Sequence, residues 1–487
     1  MVWIYSVFLI AGALCWTALG AVFPASLAVV PFVERCRRRQ VVCALGLSAA
    51  CFCYGLLSSI SFQHQFERIR DRSGHPATRA VTLDGWVCGF PEQRLGGVRF
   101  SLETTVDGER VRFLSSAVAF DVGYGDSVRA TGRLSIGRPE RWRGLQSRGA
   151  CGYLRVGAGR LQLLESAAAG ATPRRWAWRV HEWARCRLAI HLGSRCGLPT
   201  ALSVGERGWI GKGLKTVVSQ LGVSHLLALS GMHLGLIAGA VLAIFRLALV
   251  RSRMLLLLVL TVYVAIVGDV VSLYRAYAMA VVLILAVELE RPTQPLRALG
   301  TALFVLLLAN PGLTYSVAFQ LSFVATLAVL LCVTKMGFSL GSGWKRRIGS
   351  GVASTLVVSV CVQVFLLPIQ LRYFGGVSVM TPVTTLVFLP VVALIVFLSG
   401  VSLAADWIAA PLSAPLFAAL GWVATGFERV LFLTAARAPG LVELPQPSLF
   451  VYYAGQSIVW FGPGKGRKAV AVRGAIGVFV CLLAFAL

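Results

Sequence analysis

Residues 225–235 read HLLALSGMHLG. Two imidazoles, His225 and His233, and one hydroxyl, Ser230, sit at the start of a run that is otherwise apolar to about residue 250. An imidazole can ligate a metal, carry a proton or donate to an anion. The spacing argues against one shared metal. On a straight helix, eight residues leave the two rings about 80° apart in azimuth and roughly 12 Å apart along the axis. A helical zinc pair needs a spacing of four with an acid alongside, and no acid is near. The same missing acid weakens a Ser–His catalytic pair. Ser230-Gly231 invites a break in the helix. Broken helices are tolerated at membrane depth where they are buried or line a cavity, and transporters hold substrate at such breaks. Two readings stay open at this point: side chains lining a polar path, or histidines bonded between packed helices.

The elements that must position these groups follow from composition. The chain has 487 residues, 57% hydrophobic and 14% charged, whereas soluble domains are about half apolar and a quarter charged. This predicts a polytopic α-helical membrane protein of about 10–12 spans. Apolar runs fall at 2–30, 41–62, 225–246, 254–269, 271–289, 297–310, 317–334, 351–371, 379–400, 411–435, 447–461 and 469–487. The run at 379–400 could instead be two short pieces around Pro390. Basic residues mark alternate junctions: ERCRRRQ at 34–40, then Arg246/Arg251/Arg253, Arg291/Arg297, Lys335/Lys345/Arg346/Arg347 and Lys465/Arg467/Lys468. By the positive-inside bias these lie in the cytoplasm, which puts residues 63–218 outside.

The polar segment 63–173 alternates with period two. VRFSLETT (98–105) sets Val98, Phe100 and Leu102 on one face, Asp107-Gly108 is a hairpin signal, and VRFLSSAVAF (111–120) returns. SVRATGRL (127–134) is another strand. Residues 63–218 hold 25 Lys/Arg against 13 Asp/Glu, a surplus that favours a polyanionic partner. Arg99, Arg110, Arg112, Arg129 and Arg133 are the DNA-binding candidates on these strands. Residues 174–192 read as an amphipathic helix with Trp176, Val180 and Trp183 on one stripe, suited to lying in the membrane interface against lipid. The domain order is therefore two helices (1–62), an external β domain (63–173), an interfacial helix and connector (174–218), a polytopic domain (219–461) and a last helix (462–487). Cys88 and Cys151, and also Cys186 and Cys196, could be bridged if the polar domain meets an oxidising compartment, although pairing cannot be read from sequence. No Cys/His spacing suits zinc.

GVSHLLALSGMHLGLIAG (222–239) resembles the signature of the ComEC family, the DNA-internalisation channels of natural transformation. SLYRAYAMA (272–280), NPGLTYSVAFQLSFVATLAVL (310–330) and LLPIQLRYFGGVSVMTPVTTLVFLP (366–390) are similar, in order, to further family segments, and GDSVRATGRL (125–134) to the end of its external OB-like domain. The resemblance implies an inner-membrane channel that conducts single-stranded DNA into the cytoplasm, working with a DNA receptor and a cytoplasmic helicase. Within it, His225, Ser230, His233, Arg275, Gln320, Gln363 and Gln370 become channel-lining candidates. Many family members end in a metallo-β-lactamase-like domain. DVGYGDS (121–127) looks like one of its marks but lies among the strands, and none of the six histidines forms its His-x-His-x-Asp-His cluster. No nuclease, metal, cofactor or catalytic residue is therefore expected. The alternative functions are an intramembrane enzyme acting through His225, Ser230 and His233, or a transporter for another polyanionic or lipid-linked substrate. Asp269 is a candidate partner for Arg275 only if the helix between them bends.

Overall fold

A computed structural model gives the architecture. It describes residues 79–485 apart from 95, 107–108, 119–121, 136–144, 146–147, 149, 167–171, 250–251, 292–293, 337–343, 462–466 and 484. The runs at 2–30 and 41–62 lie outside the described residues, as does the Asp107-Gly108 turn. The chain divides into two compact units. One takes Leu289–Leu386 and Pro439–Leu487, the other His64–Glu288 and Val387–Ala438.

The second unit begins with six strands: β1 (Arg79–Val87), β2 (Glu92–Arg94), β3 (Gly97–Val106), β4 (Glu109–Ala117), β5 (Ser127–Ser135) and β6 (Gly152–Glu165). Their order is β1-β5-β6-β4-β3-β2, and β1 also pairs β3, which closes a small barrel of five strands. Every pairing is antiparallel except β4 with β6. The period-two pattern is the reason: Val98, Phe100, Leu102, Val111, Phe113 and Val128 point inward and are buried. Gly85 and Gly132 sit where a Cβ would meet the Glu103 and Arg155 carbonyl oxygens at 2.3 Å and 2.2 Å, so neighbouring backbones approach only because these are glycines.

Helix α1 (Pro173–Leu192) follows, capped by the Thr172 hydroxyl. Its packed face is Ala177, His181, Ala184, Leu188 and Leu192. Trp176 stays 53% exposed, so the tryptophan stripe is not the face that packs on the protein. Short helices α2 (Gly197–Ser203) and α3 (Lys212–Gln220) bury Leu198, Leu202 and Val218 in one cluster with Phe388, Phe417 and Leu420. Then come α4 (Gly231–Leu247), α5 (Arg253–Val267) and α6 (Val271–Glu288), packed around Leu256, Leu260, Val264 and Leu273.

The first unit holds α7 (Pro295–Ala309), α8 (Val317–Met336), α9 (Trp344–Phe374), and, after the start of α10 (Thr381–Ile408), the helices α12 (Leu449–Phe461) and α13 (Arg467–Leu483). The rest of α10 and α11 (Ala410–Ala435) belong to the second unit. Pro390 lies inside the unbroken α10, so the two-piece alternative for 379–400 is not what forms.

Among the described residues, five stretches are long and apolar enough to cross a membrane: Val271–Glu288, Val317–Thr334, Gly351–Phe374, Thr381–Ile408 and Ser413–Ala435. Gly231–Leu247, Arg253–Val267 and Pro295–Ala309 are apolar but shorter. At 1.5 Å per residue, a 15-residue helix spans about 22 Å against a hydrocarbon core of about 30 Å. Five of the expected 10–12 spans thus form helices of sufficient length among the described residues, and the runs at 2–30 and 41–62 lie outside them. The run at 225–246 loses its first six residues to irregular backbone and is helical only from Gly231.

Candidate functional site: a broken helix and an arginine-bearing barrel

Ser230 is the N-cap of α4, with extended backbone at φ −132° and ψ 179°. Its hydroxyl accepts from the Met232 N–H at 3.3 Å, and its own N–H donates to His233 Nδ1 at 3.2 Å. This is a capping box with histidine in the place usually held by glutamate or glutamine. The Ser230 hydroxyl also lies 3.3 Å from Nδ1. The contact that a Ser–His catalytic reading would need is therefore occupied by capping. Because Nδ1 accepts, the proton of a neutral His233 ring sits on Nε2. His233 is fully buried, and Nε2 has no hydrogen-bond partner among the described residues.

Arg275, on the second turn of α6, is also buried. A Cβ added at Gly231 would lie 3.5 Å from its guanidinium Nη2 and 3.5 Å from the Ala276 Cβ. Its Nη1 reaches Met279 Sδ at 3.8 Å. The Ser272 hydroxyl donates to Leu229 O at 2.6 Å, which fixes the start of α6 against the irregular segment before α4. Asp269 does not meet Arg275. It accepts from Arg174 at 3.2 Å and from the Tyr274 hydroxyl at 2.8 Å. Gly268 ends α5 at φ 83°, which turns the following aspartate toward α1.

The structure thus joins Ser230 and His233 through the cap and sets the Arg275 guanidinium beside Gly231, the first residue of α4. His225 lies in the irregular segment, its Nδ1 3.1 Å from Gly222 O. Gln320, Gln363 and Gln370 belong to the other unit. Gln320 Nε2 donates to Thr314 O at 2.7 Å and Gln363 Nε2 to Ser378 O at 3.2 Å. Gln370 Oε1 is buried without a partner among the described residues. Two of these glutamines therefore close irregular backbone.

On the barrel, all five candidate arginines are on outward positions, but they differ. Arg129 makes two hydrogen bonds to the Asp84 carboxylate, at 2.7 and 2.6 Å. That contact holds the Asp84 carboxyl below the usual carboxylate range. Arg112 bonds Glu103 at 3.1 Å across the β3–β4 register. Arg110 stands over the indole of Trp86, 5.8 Å from the ring centroid, and Trp86 is 38% exposed. Arg133 is exposed on β5. Burial, then the nearby Arg94 and Arg148, lowers the Arg99 pKa.

All four polar-domain cysteines are free thiols. The Cys88 thiol donates to Ser101 O at 3.5 Å, and burial pushes the Cys151 thiol up to about 11. The Cys88–Cys151 bridge is not formed.

A second polar centre escaped the sequence reading. Asp406 has a fully buried side chain that accepts from Arg187 at 2.6 Å and from Ser413 at 3.1 Å, with His191 Nε2 at 3.2 Å. It fastens α1 to α10 and α11, and His191 stacks on Phe417 at 4.2 Å. The signal was available: one acid in an apolar run is a functional or structural flag in a membrane segment. His181, also on α1, has Nδ1 3.0 Å from Ile266 O and Nε2 3.6 Å from Glu206. Among the described residues no group of three or more His, Cys, Asp or Glu could hold a metal.

Apolar helices of spanning length and a small β-barrel define a polytopic helical membrane protein with a β domain. Residues 202–463 match the family described as "Competence protein", and the chain belongs to that family. It is 30% identical over 197 residues to ComE operon protein 3 of Bacillus subtilis, covering 40% of this chain and 24% of that one. It is 27% identical over 265 residues to Recombination protein 2 of Haemophilus influenzae, covering 49% and 34%. Competence protein ComA of Neisseria gonorrhoeae is 28% identical over 173 residues, covering 30% and 25%. The chain thus spans about a quarter to a third of the length of these curated relatives. No solved structure matches.

Proposed function

We propose that this protein is an inner-membrane channel that conducts single-stranded DNA into the cytoplasm during natural transformation, with the barrel outside. The observation that carries this reading is the break before α4. The cap formed by Ser230 and buried His233, and buried Arg275 beside Gly231, all fall inside the stretch that matches the competence family. Intramembrane ionisable groups are costly unless they serve a polar path or a partner. The names of the relatives, a competence protein and a recombination protein, point the same way.

The barrel supports the reading independently. With the three-residue β2 set aside, its ring runs first, second, third, fifth, fourth strand and back to the first, and the third and fifth strands are parallel. We read this as an OB-like barrel, a fold that binds single strands on its second and third strands. Those are β3 and β4 here, and they carry Arg99, Arg110 and Arg112, with Trp86 adjacent on β1 as a stacking surface. DNA-receptor and helicase partners and the surrounding lipid complete the proposal. The broken helix is tested with His233→Leu and Ser230→Leu in a transformable host, scored for membrane abundance and uptake of labelled DNA. Normal abundance with abolished uptake is expected. Normal uptake in both variants removes these residues from the path.

A further inference from the structure

We propose that the first turn of α4, with His233 and Arg275, is a binding site for one phosphodiester anion at a time. The chemistry stands on three observations of different kinds. First, α4 is a 17-residue helix that starts abruptly at Gly231 after irregular backbone. Its start carries the positive end of the helix dipole, although the Ser230 hydroxyl already caps the Met232 N–H, and transporters present half-helix starts to anionic substrate groups. Second, His233 does not serve as an acceptor toward a ligand. Its Nδ1 is taken by the Ser230 N–H, so Nε2 carries the donor proton, and that N–H is buried with no partner. A buried donor of this kind costs free energy until an acceptor oxygen meets it. Third, Gly231 leaves one methyl group's space between the helix start and the Arg275 guanidinium, with contacts at 3.5 Å.

An imidazole N–H, a guanidinium and a helix N-terminus are all donors with positive or partly positive charge. A phosphodiester offers two oxygens sharing one negative charge, so it suits this set better than a neutral or cationic ligand. Holding one phosphate at a time lets a polyanion step past without stopping, since conduction needs binding that is favourable yet weak enough to release. The strand as the source of the phosphate rests on the channel reading; the chemistry of the site does not.

The test uses the full chain in nanodiscs of zwitterionic lipid, labelled with ¹⁵N-histidine, with the His233 signal assigned by its loss in His233→Gln. Dimethyl phosphate and the dinucleotide TpT are titrated. A saturable shift of the His233 ring signal is expected. Losing a charged donor should weaken it about tenfold or more in Arg275→Gln, with partial recovery in Arg275→Lys. Gly231→Ala, whose methyl makes only ordinary contacts, should fold normally by size-exclusion profile and bind more weakly. No shift in the unsubstituted chain, or the same shift in Arg275→Gln, overturns the site even if Arg275→Gln also loses DNA uptake, and in that case the channel reading survives. A shift of the expected kind with normal uptake in Arg275→Gln keeps the site and overturns the strand as its ligand. A His233 signal already displaced in nanodiscs containing phosphatidylglycerol, before any probe, assigns the site to a lipid headgroup and overturns the strand as its ligand.

Discussion

Asp406 holds three side-chain partners at once, although no motif in the sequence pointed to it. Its carboxylate is fully buried and serves Arg187, His191 and Ser413 together. Removing one member of a buried charge network leaves the others uncompensated, typically at about 3–5 kcal/mol, and the partial exposure of Arg187 places Asp406→Leu near about 3 kcal/mol. Thermal unfolding of the detergent-solubilised protein should record that loss, with a smaller one for Asp406→Asn. An unchanged midpoint for Asp406→Leu would show that the network contributes nothing. The barrel arginines separate in the same way. Arg129 forms an exposed pair with Asp84 that solvent screens, and its charge is already balanced. Arg110 lies over an exposed indole, and base stacking on an aromatic is worth about 1–3 kcal/mol. Trp86→Ala and Arg110→Ala should therefore weaken oligonucleotide binding by roughly tenfold each, while Arg129→Ala changes it little. Equal losses in all three variants would mean that net charge alone governs binding.

Between elements, the joint from barrel to helices depends on Gly268. It ends α5 at φ 83° and ψ −147°, where side chains are strained, and a Cβ there would meet the Phe90 ring at 2.7 Å. Phe90 in turn packs edge-on against Tyr124 and His181, and Arg174 covers Tyr124 while bonding Asp269. Gly268→Ala should cost about 1–3 kcal/mol. Adding Phe90→Ala relieves the collision but not the backbone strain, so the double variant should stay below the protein carrying Phe90→Ala alone. Limited proteolysis between the barrel and α5 is the measurement, and full resistance in Gly268→Ala would contradict this joint. At this scale the strands were legible: Val98, Phe100 and Leu102 alternate because one face of β3 must leave water. Helix lengths were less legible. An apolar run marks what leaves water but not where backbone is helical, and Ser230 starts the helix partway into the run at 225–246 by offering the backbone a cap.

For the whole molecule, the alternation of basic junctions predicts orientation. A reporter active only outside the cytoplasm should be active when fused after Gly170 and silent after Arg347. The opposite pattern would invert the molecule and remove the barrel from the external side. The charge surplus of residues 63–218 predicts single-strand binding that weakens with salt by roughly 0.7 log unit per log unit of salt for each phosphate neutralised. A titration of the full chain with oligonucleotides at several salt concentrations checks it, and a flat response would argue for stacking without charge.

The sequence by itself determined the class: apolar runs too long and too numerous for a soluble core, a period-two domain rich in arginine, and four segments in order that resemble one family. These are one-dimensional properties, set by what each residue prefers in water or lipid and by repeats of two or 3.6 residues. Only the tertiary structure decided the partners. Asp269 faces Arg174 rather than Arg275, because Gly268 turns the chain. Asp406 meets Arg187, more than two hundred residues away, through the packing of α1 on α10. Arg275 stands beside Gly231 because α6 packs its start against the break before α4. Contacts between residues distant in sequence depend on packing and backbone direction, and no local spacing encodes them.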